Sequence, residues 1–195
     1  MKQFSLPNLI PEILNQDQFR FEILHPKHVE LDYQAVMKSK DFLRRWSCSD
    51  WPADDFSVAD NLTDLKRHYQ EHQQKLAFTY TILSQDKTLC LGCIYIKPVR
   101  AIPCSTSQEM EFLEPYHFFC SYWVIYEIRN TDLDELIFFS LQKWLDTVWH
   151  FSAIFYTNNL QIPEQDVIFR NNGLELFLLL QDENRYQQCW RPIKG

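Results

Sequence analysis

The sequence predicts an α/β domain: a central, mostly antiparallel mixed sheet with helices on both faces, in three layers. Three observations lead there. Short alternating or β-branched runs recur in pairs across turn residues, the pattern of hairpins. Four other stretches read as helices, the clearest with apolar residues on a 3.6-residue period. Two of them stand between strand-like runs, the strand–helix–strand order that gives parallel pairing. With 195 residues, 46% of them apolar and 15% aromatic, one hydrophobic core suffices. The expected organisation is a polar lead-in over 1–18 and a single domain over 19–195.

The elements follow in order. Phe19 to Leu24 alternates and reads as the first strand. Pro26 opens a helix that runs to about Ser39, with Val29, Leu31, Ala35 and Val36 as its apolar positions. Trp46 and Trp51-Pro52 fall in a polar connector. Ser57 with Asp60 three residues on resembles a capping box, which starts a helix through Leu62, Leu65 and Tyr69. Leu76–Leu83 and Leu89–Ile96 form a hairpin around Gln85-Asp86-Lys87. Residues 97–116, with three prolines, read as an irregular loop. Phe118 to Ile128 is a long aromatic strand, and Asp132 to His150 the clearest helix. A short strand over Ala153–Tyr156 and a helix over Pro163–Asn171 follow, the latter ended by Gly173 as a C′ glycine. Leu174–Leu180 and Arg185–Trp190 close the chain as a pair of strands.

Composition removes several functional classes. The net charge is −7, with charges scattered singly; a nucleic acid or an anionic membrane surface wants a basic patch instead. The apolar runs are too short to span a bilayer. Met1 to Gln18 carries one Lys and no apolar core of signal-peptide length, so the expectation is a cytoplasmic protein. Six cysteines in such a chain read as reduced thiols. Cys90 and Cys93 form the only close pair. Three residues apart on a strand, they would point to opposite faces, so core packing and no metal site is expected. Gly92, Gly173 and Gly195 are the only glycines, which excludes Walker and dinucleotide-binding loops.

Taken together, the element order and three local segments resemble the GNAT acetyltransferase superfamily, from about Phe19 to Trp190. Val124-Ile125-Tyr126-Glu127-Ile128-Arg129 resembles the end of that family's fourth strand. Arg129-Asn130-Thr131-Asp132-Leu133-Asp134 occupies its Arg/Gln-x-x-Gly-x-Gly/Ala pyrophosphate turn. Asn158, followed by Phe169-Arg170-Asn171-Asn172-Gly173-Leu174, resembles the later segment written as an Asn, then Tyr-x-x-x-Gly-Phe. The resemblance implies transfer of an acetyl group from acetyl-CoA to the amine of a small molecule or peptide, by direct attack in a ternary complex. Main-chain groups of Val124, Ile125 and Tyr126 would hold the pantetheine arm. Arg129, Asn130 and the N–H groups beyond them would take the pyrophosphate, with Asn158 as a further cofactor-side residue. Glu127, at the strand end, is the carboxylate best placed to take the amine's proton; Glu109 and Glu114 stand behind it.

Two departures from that pattern matter chemically. Both glycines of the turn are replaced, by Asp132 and Asp134. Asp132 would make a good N-cap and so compete with phosphate for the helix's free donors. With Glu135, the two aspartates also gather negative charge where a diphosphate would sit. The family's tyrosine is Phe169 here, which has no proton to give and reads as core packing; Tyr156 or Tyr126 could stand in. A second reading therefore stands beside the enzyme: a GNAT-like module that has lost CoA binding and engages a peptide or a second copy of itself.

Three further groups are ambiguous. His68-Tyr69-Gln70-Glu71-His72 matches an inverted metalloprotease pattern and reads as a solvated helix face. Trp46, Trp51 and Phe56 could line a substrate-side loop or cover the sheet. Arg44-Arg45 reads as solvated surface.

Overall fold

The structure, a computed structural model, describes residues 6–7, 9–102, 106–151, 153–182 and 185–193. Its strands are β1 (Ile13–Asn15), β2 (Phe19–Ile23), β3 (Phe78–Ser84), β4 (Cys90–Pro98), β5 (Phe118–Val124), β6 (Ile154–Asn159), β7 (Leu174–Asp182) and β8 (Arg185–Pro192). Its α-helices are α1 (Val29–Lys38), α2 (Lys40–Ser47), α3 (Val58–Gln73), α4 (Ser107–Leu113), α5 (Asp132–Thr147) and α6 (Pro163–Asn171). The strands form one sheet in the order β1-β2-β3-β4-β5-β6-β8-β7. Every pairing is antiparallel except β5 with β6, the two strands joined through α5.

Adjacent residues of β3 show why helices cover both faces. Successive strand residues point opposite ways. Thr79 Oγ1 lies 3.2 Å from His68 Nδ1 of α3, while the ring of Tyr80 meets Trp144 of α5 at 5.0 Å between centroids. On the α5 face, Phe138 stacks on Tyr122 at 5.4 Å and on Phe169 of α6 at 4.7 Å. Phe169 is fully buried and also meets Trp190, so the residue at the family's tyrosine position packs α6 onto the sheet. A smaller core, with Leu113 of α4, Phe119, Phe155 and Leu180, fills the other face near the β7 edge.

Several elements differ from the sequence reading, each for a physical reason. The lead-in contains β1, three residues that gain stability only by pairing with β2. The polar connector holds α2, whose Phe42 and Leu43 are buried and whose apolar spacing continues to Trp46. Ser39 ends α1 and begins α2, so the two helices read as one followed by a loop. The 97–116 loop holds α4, started by a capping box in which Thr106 and Glu109 satisfy each other's main-chain N–H. Residues 103–105 lie outside the described set. The aromatic strand stops at Val124, and Tyr126–Ile128 make a single 3₁₀ turn.

The two histidines of α3 are buried rather than solvated. His68 faces Thr79 and Tyr95, and His72 meets Phe78 and Tyr80 edge-on. Burial pulls the pKa of His68 down to about 3 and that of His72 to about 4; His28, also buried, falls to about 4. A free histidine titrates near 6.5. Below that pH the unfolded chain takes up protons that the folded chain refuses, so folded stability is lost as pH falls from 6.5 toward 4. Asp134 and Asp32, whose carboxyls burial pushes up, act in the opposite sense. Three histidines outnumber these two acids, so the melting temperature is expected to fall between pH 7 and pH 5. A melting temperature that holds or rises over that range would contradict neutral, buried histidines.

A second difference concerns the cysteines. β3 and β4 pair Ile82 with Gly92 but Leu83 with Cys90, so Leu91 is an extra residue in a bulge. The bulge reverses the alternation and brings Cys90 and Cys93 to one face. Their sulfurs and a carboxylate oxygen of Asp32 lie within 4.8 Å of one another, all buried. The Cys93 thiol donates to Asp32 Oδ1 at 3.3 Å and Asn61 Nδ2 donates to Oδ2 at 3.0 Å. Burial pushes the Asp32 carboxyl up, and the Cys90 contact together with burial raises the Cys93 thiol well above its usual range. The cluster thus ties α1 and α3 to β4 through hydrogen bonds.

Candidate functional site

The site begins where the two parallel strands part. β5 and β6 pair over Phe118–Ile154, Phe119–Phe155 and Cys120–Tyr156 and no further. Beyond Cys120, β5 stays on β4 as far as Val124, while β6 follows β8. Tyr122 lies in the opened stretch, and its carbonyl accepts from two side chains: Trp46 Nε1 of α2 at 3.1 Å and Gln165 Nε2 of α6 at 3.1 Å. One helix from each layer therefore caps the bottom of the wedge.

Beside the wedge, on the face covered by α1 to α3, lies a cleft of about 540 Å³. This volume suits a small ligand. Its floor comes from Lys97 of β4, Ser121 of β5, and Thr157 and Asn159 of β6; Trp46 and Cys48 overhang it from α2. Cys48 ends α2 in the left-handed conformation (φ 51°). Asn159 Nδ2 donates to the Cys48 sulfur and to the Arg45 carbonyl, which locks α2 over β6. Trp46 stacks against Tyr95 at 5.7 Å, so this tryptophan serves the cleft wall as well as the wedge. Trp51 and Phe56 pack on each other at 6.0 Å away from the cleft lining. Arg44 is bound to the Pro52 carbonyl and to Asp54 of its own chain, which pins the 52–54 connector.

Among the residues nominated from sequence, Asn158 lines this cleft, with its amide fixed between Asp166 (2.7 Å) and Trp190 Nε1 (2.8 Å). Val124 and Ile125 are buried at the strand end, and Tyr126 is 75% exposed. Glu127 is exposed on the 3₁₀ turn and paired with Lys38, whose hydrogen bond holds its carboxyl below the usual range. Tyr156 is buried between Phe138 and Phe169, its hydroxyl pushed well up by burial. Glu109 and Glu114 belong to α4 and its end, away from the cleft lining.

The turn before α5 is built differently from its sequence reading. The N-cap is Thr131, whose side chain makes no cap bond; its hydroxyl donates to the Ile128 carbonyl instead. Asp132 is the first helical residue, exposed, and caps nothing. The capping acid is Asp134: buried, it accepts from Tyr122 Oη and from the Asn130 main-chain N–H, each at 3.0 Å. Asn130 takes the left-handed conformation that a glycine would otherwise supply (φ 58°). Burial raises the Asp134 carboxyl to about 6, so its charge is turned inward rather than gathered at the helix end. Arg129 lies 3.3 Å over the ring of Phe42 and is half-buried, with an Nε that has no partner among the described residues. This turn fits a diphosphate in main-chain terms, because the N-cap Thr131 makes no side-chain cap and, among the described residues, no side chain bonds the first amides of α5, those of Asp132 and Leu133.

No family model and no curated protein matches the chain. Solved structures do. RimL, a ribosomal L7/L12 alpha-N-protein acetyltransferase in complex with coenzyme A, superposes with a TM-score of 0.71 at 16% identity, over 93% of this chain and 98% of that one. The ribosomal-protein-S5-alanine acetyltransferase from Vibrio fischeri gives 0.67 at 10% identity, over 92% and 95%. The microcin C7 self-immunity acetyltransferase MccE, in complex with acetyl-CoA and AMP, gives 0.65 at 14% identity, over 91% and 94%. The chain has the fold of the GNAT acetyltransferases, across nearly its whole length. Among the described residues, no helix is long and apolar enough to cross a membrane.

Proposed function

We propose that the protein transfers an acyl group from a coenzyme A thioester to an amine, with the amine entering the cleft over β5 and β6. One observation carries the reading: the parallel pair parts after Cys120 and Tyr156 beside a cleft built from both diverging strands, in a fold whose solved relatives include complexes with CoA and acetyl-CoA. Main-chain groups from Val124 to Tyr126 would hold the pantetheine arm. The amides of Asp132 and Leu133 would hold the diphosphate, with Arg129 beside them. The bound thioester supplies an activated acyl carbon; the chain's own residues orient it and exclude water. Glu127 is the candidate proton acceptor, working through water because its carboxylate stands outside the cleft lining. If so, Glu127→Gln lowers kcat by about 10²–10⁴-fold; an unchanged kcat would remove Glu127 from the reaction.

Thermal melting tests the reading directly. At 100 times its dissociation constant a ligand of the folded state adds ~2.7 kcal/mol, a visible rise in melting temperature. A rise with acetyl-CoA is expected, and none at millimolar concentration would refute the enzyme. In the second reading, a scaffold that binds a peptide or another copy of itself without CoA, the two hydrogen bonds to the Tyr122 carbonyl keep the wedge closed from both faces. That reading predicts no acetyl-CoA shift, and a stable dimer by light scattering if the partner is a second copy.

A further inference from the structure

The cleft has an electrostatic character opposite to that of the chain. The protein carries a net charge of −7, yet among the described residues no carboxylate lines the cleft and Lys97 is its one ammonium. Lys97 stands on β4 two residues after Tyr95, and its Nζ lies 5.3 Å from that ring's centroid. Around it stand Arg67, His68 and Glu71 of α3. His68 is neutral, and the Glu71 carboxylate is engaged by Arg67 and His68 at 3.3 Å each. No carboxylate among the described residues comes within ion-pair distance of Lys97. Burial, with Arg67 adding to it, draws the Lys97 pKa below its ordinary value, and the Glu71 carboxylate, already shared between Arg67 and His68, offsets this only in part. Neutral groups, Ser121, Thr157 and Gln187, share the lining and could orient the remaining oxygens of an anion.

We infer that the cleft takes an acceptor bearing a carboxylate as well as its amine, and that Lys97 is the residue that binds this carboxylate. The inference rests on the acyltransferase reading for the word "acceptor", while the carboxylate subsite itself needs no cofactor. A charged acceptor oxygen gives Lys97 a direct ion pair that no described carboxylate supplies, and an amide in its place does not. Selection between the two is therefore a property of one residue.

The experiment follows the Lys97 side-chain methylene next to Nζ by NMR in protein with carbon-13-labelled lysine, without CoA. Acetate, succinate and N-acetylglycine serve as probes, and acetamide as control. The expected result is a saturable shift of the Lys97 signal with at least one carboxylate and none with acetamide, the carboxylate binding about tenfold or more tightly than the amide. Lys97→Met should abolish the binding, seen as loss of the carboxylate's transferred signals, and Lys97→Arg should retain it; melting curves confirm that both variants fold. A Lys97 signal unmoved by all three carboxylates, or moved equally by acetamide, overturns the inference. So does unaltered carboxylate binding by folded Lys97→Met. Failure here with a positive acetyl-CoA melting shift leaves the acyltransferase reading standing, and the reverse result leaves the subsite standing without it.

Discussion

Gly92→Ala is expected to be the most destabilising single-methyl change in the chain. Its φ of +151° is one that residues with a Cβ rarely adopt, and a Cβ built there would lie 2.0 Å from the Trp123 carbonyl oxygen. That neighbour is main chain paired in the β4–β5 ladder, so it cannot swing aside as a flexible side chain would. Overpacking costs about 1–3 kcal/mol, and the forced backbone conformation about 1–3 kcal/mol more. The sum is a large part of the ~5–15 kcal/mol that holds a domain folded. Urea unfolding should show a midpoint lowered accordingly, or no folded protein. Gly173→Ala is the control: its φ is +74° but nothing lies within 4 Å of the added atom, so only the strain is felt. Equal midpoints for Gly92→Ala and the unaltered protein would mean the bulge is not built as described.

Asp134→Gly is expected to weaken both the fold and the proposed CoA site, although it brings in the residue that the GNAT turn carries at the corresponding position. From sequence, two acids stand where glycines belong and charge is the natural obstacle to a diphosphate. The structure divides their roles. Asp134 holds Tyr122 Oη and the Asn130 N–H, and so fastens the turn to β5. Deleting it strands two donors, at about 1–3 kcal/mol for each that stays buried, and a glycine inside a helix costs about 1 kcal/mol against alanine. Asp132 is exposed and clamps nothing, so Asp132→Asn should leave stability within about 0.5 kcal/mol and bind CoA no worse. Melting and calorimetry on the two variants check this. Tighter CoA binding by a folded Asp134→Gly would show that the acid obstructs the turn instead of shaping it.

These two residues also mark how far the sequence could be read. The sheet, the α5 crossover and the aromatic core follow from periodicity, which is a local property. What Asp134 does depends on a tyrosine twelve residues earlier, on the strand beneath, and no spacing rule connects them. The Cys90–Cys93 pair was misplaced because alternation assumes a regular strand, whereas the bulge is fixed by the register of β3 against β4; Gly92 between them was the one local hint. The helix α4 did carry a signal, Thr106 with Glu109 three residues on, outweighed by the prolines around it. Lys97 carried none. A lysine before a proline at a strand end looks like any solvated residue until the strands beside it part.

A crystal structure grown with coenzyme A tests the central claim, that the parted strands β5 and β6 form a thioester site. The pantetheine arm is expected along the main chain from Val124 to Tyr126, at the end of β5, and the diphosphate at the amides of Asp132 and Leu133. Coenzyme ordered elsewhere, or absent at saturating concentration with Trp46 and Gln165 still closed on the Tyr122 carbonyl, would contradict that claim.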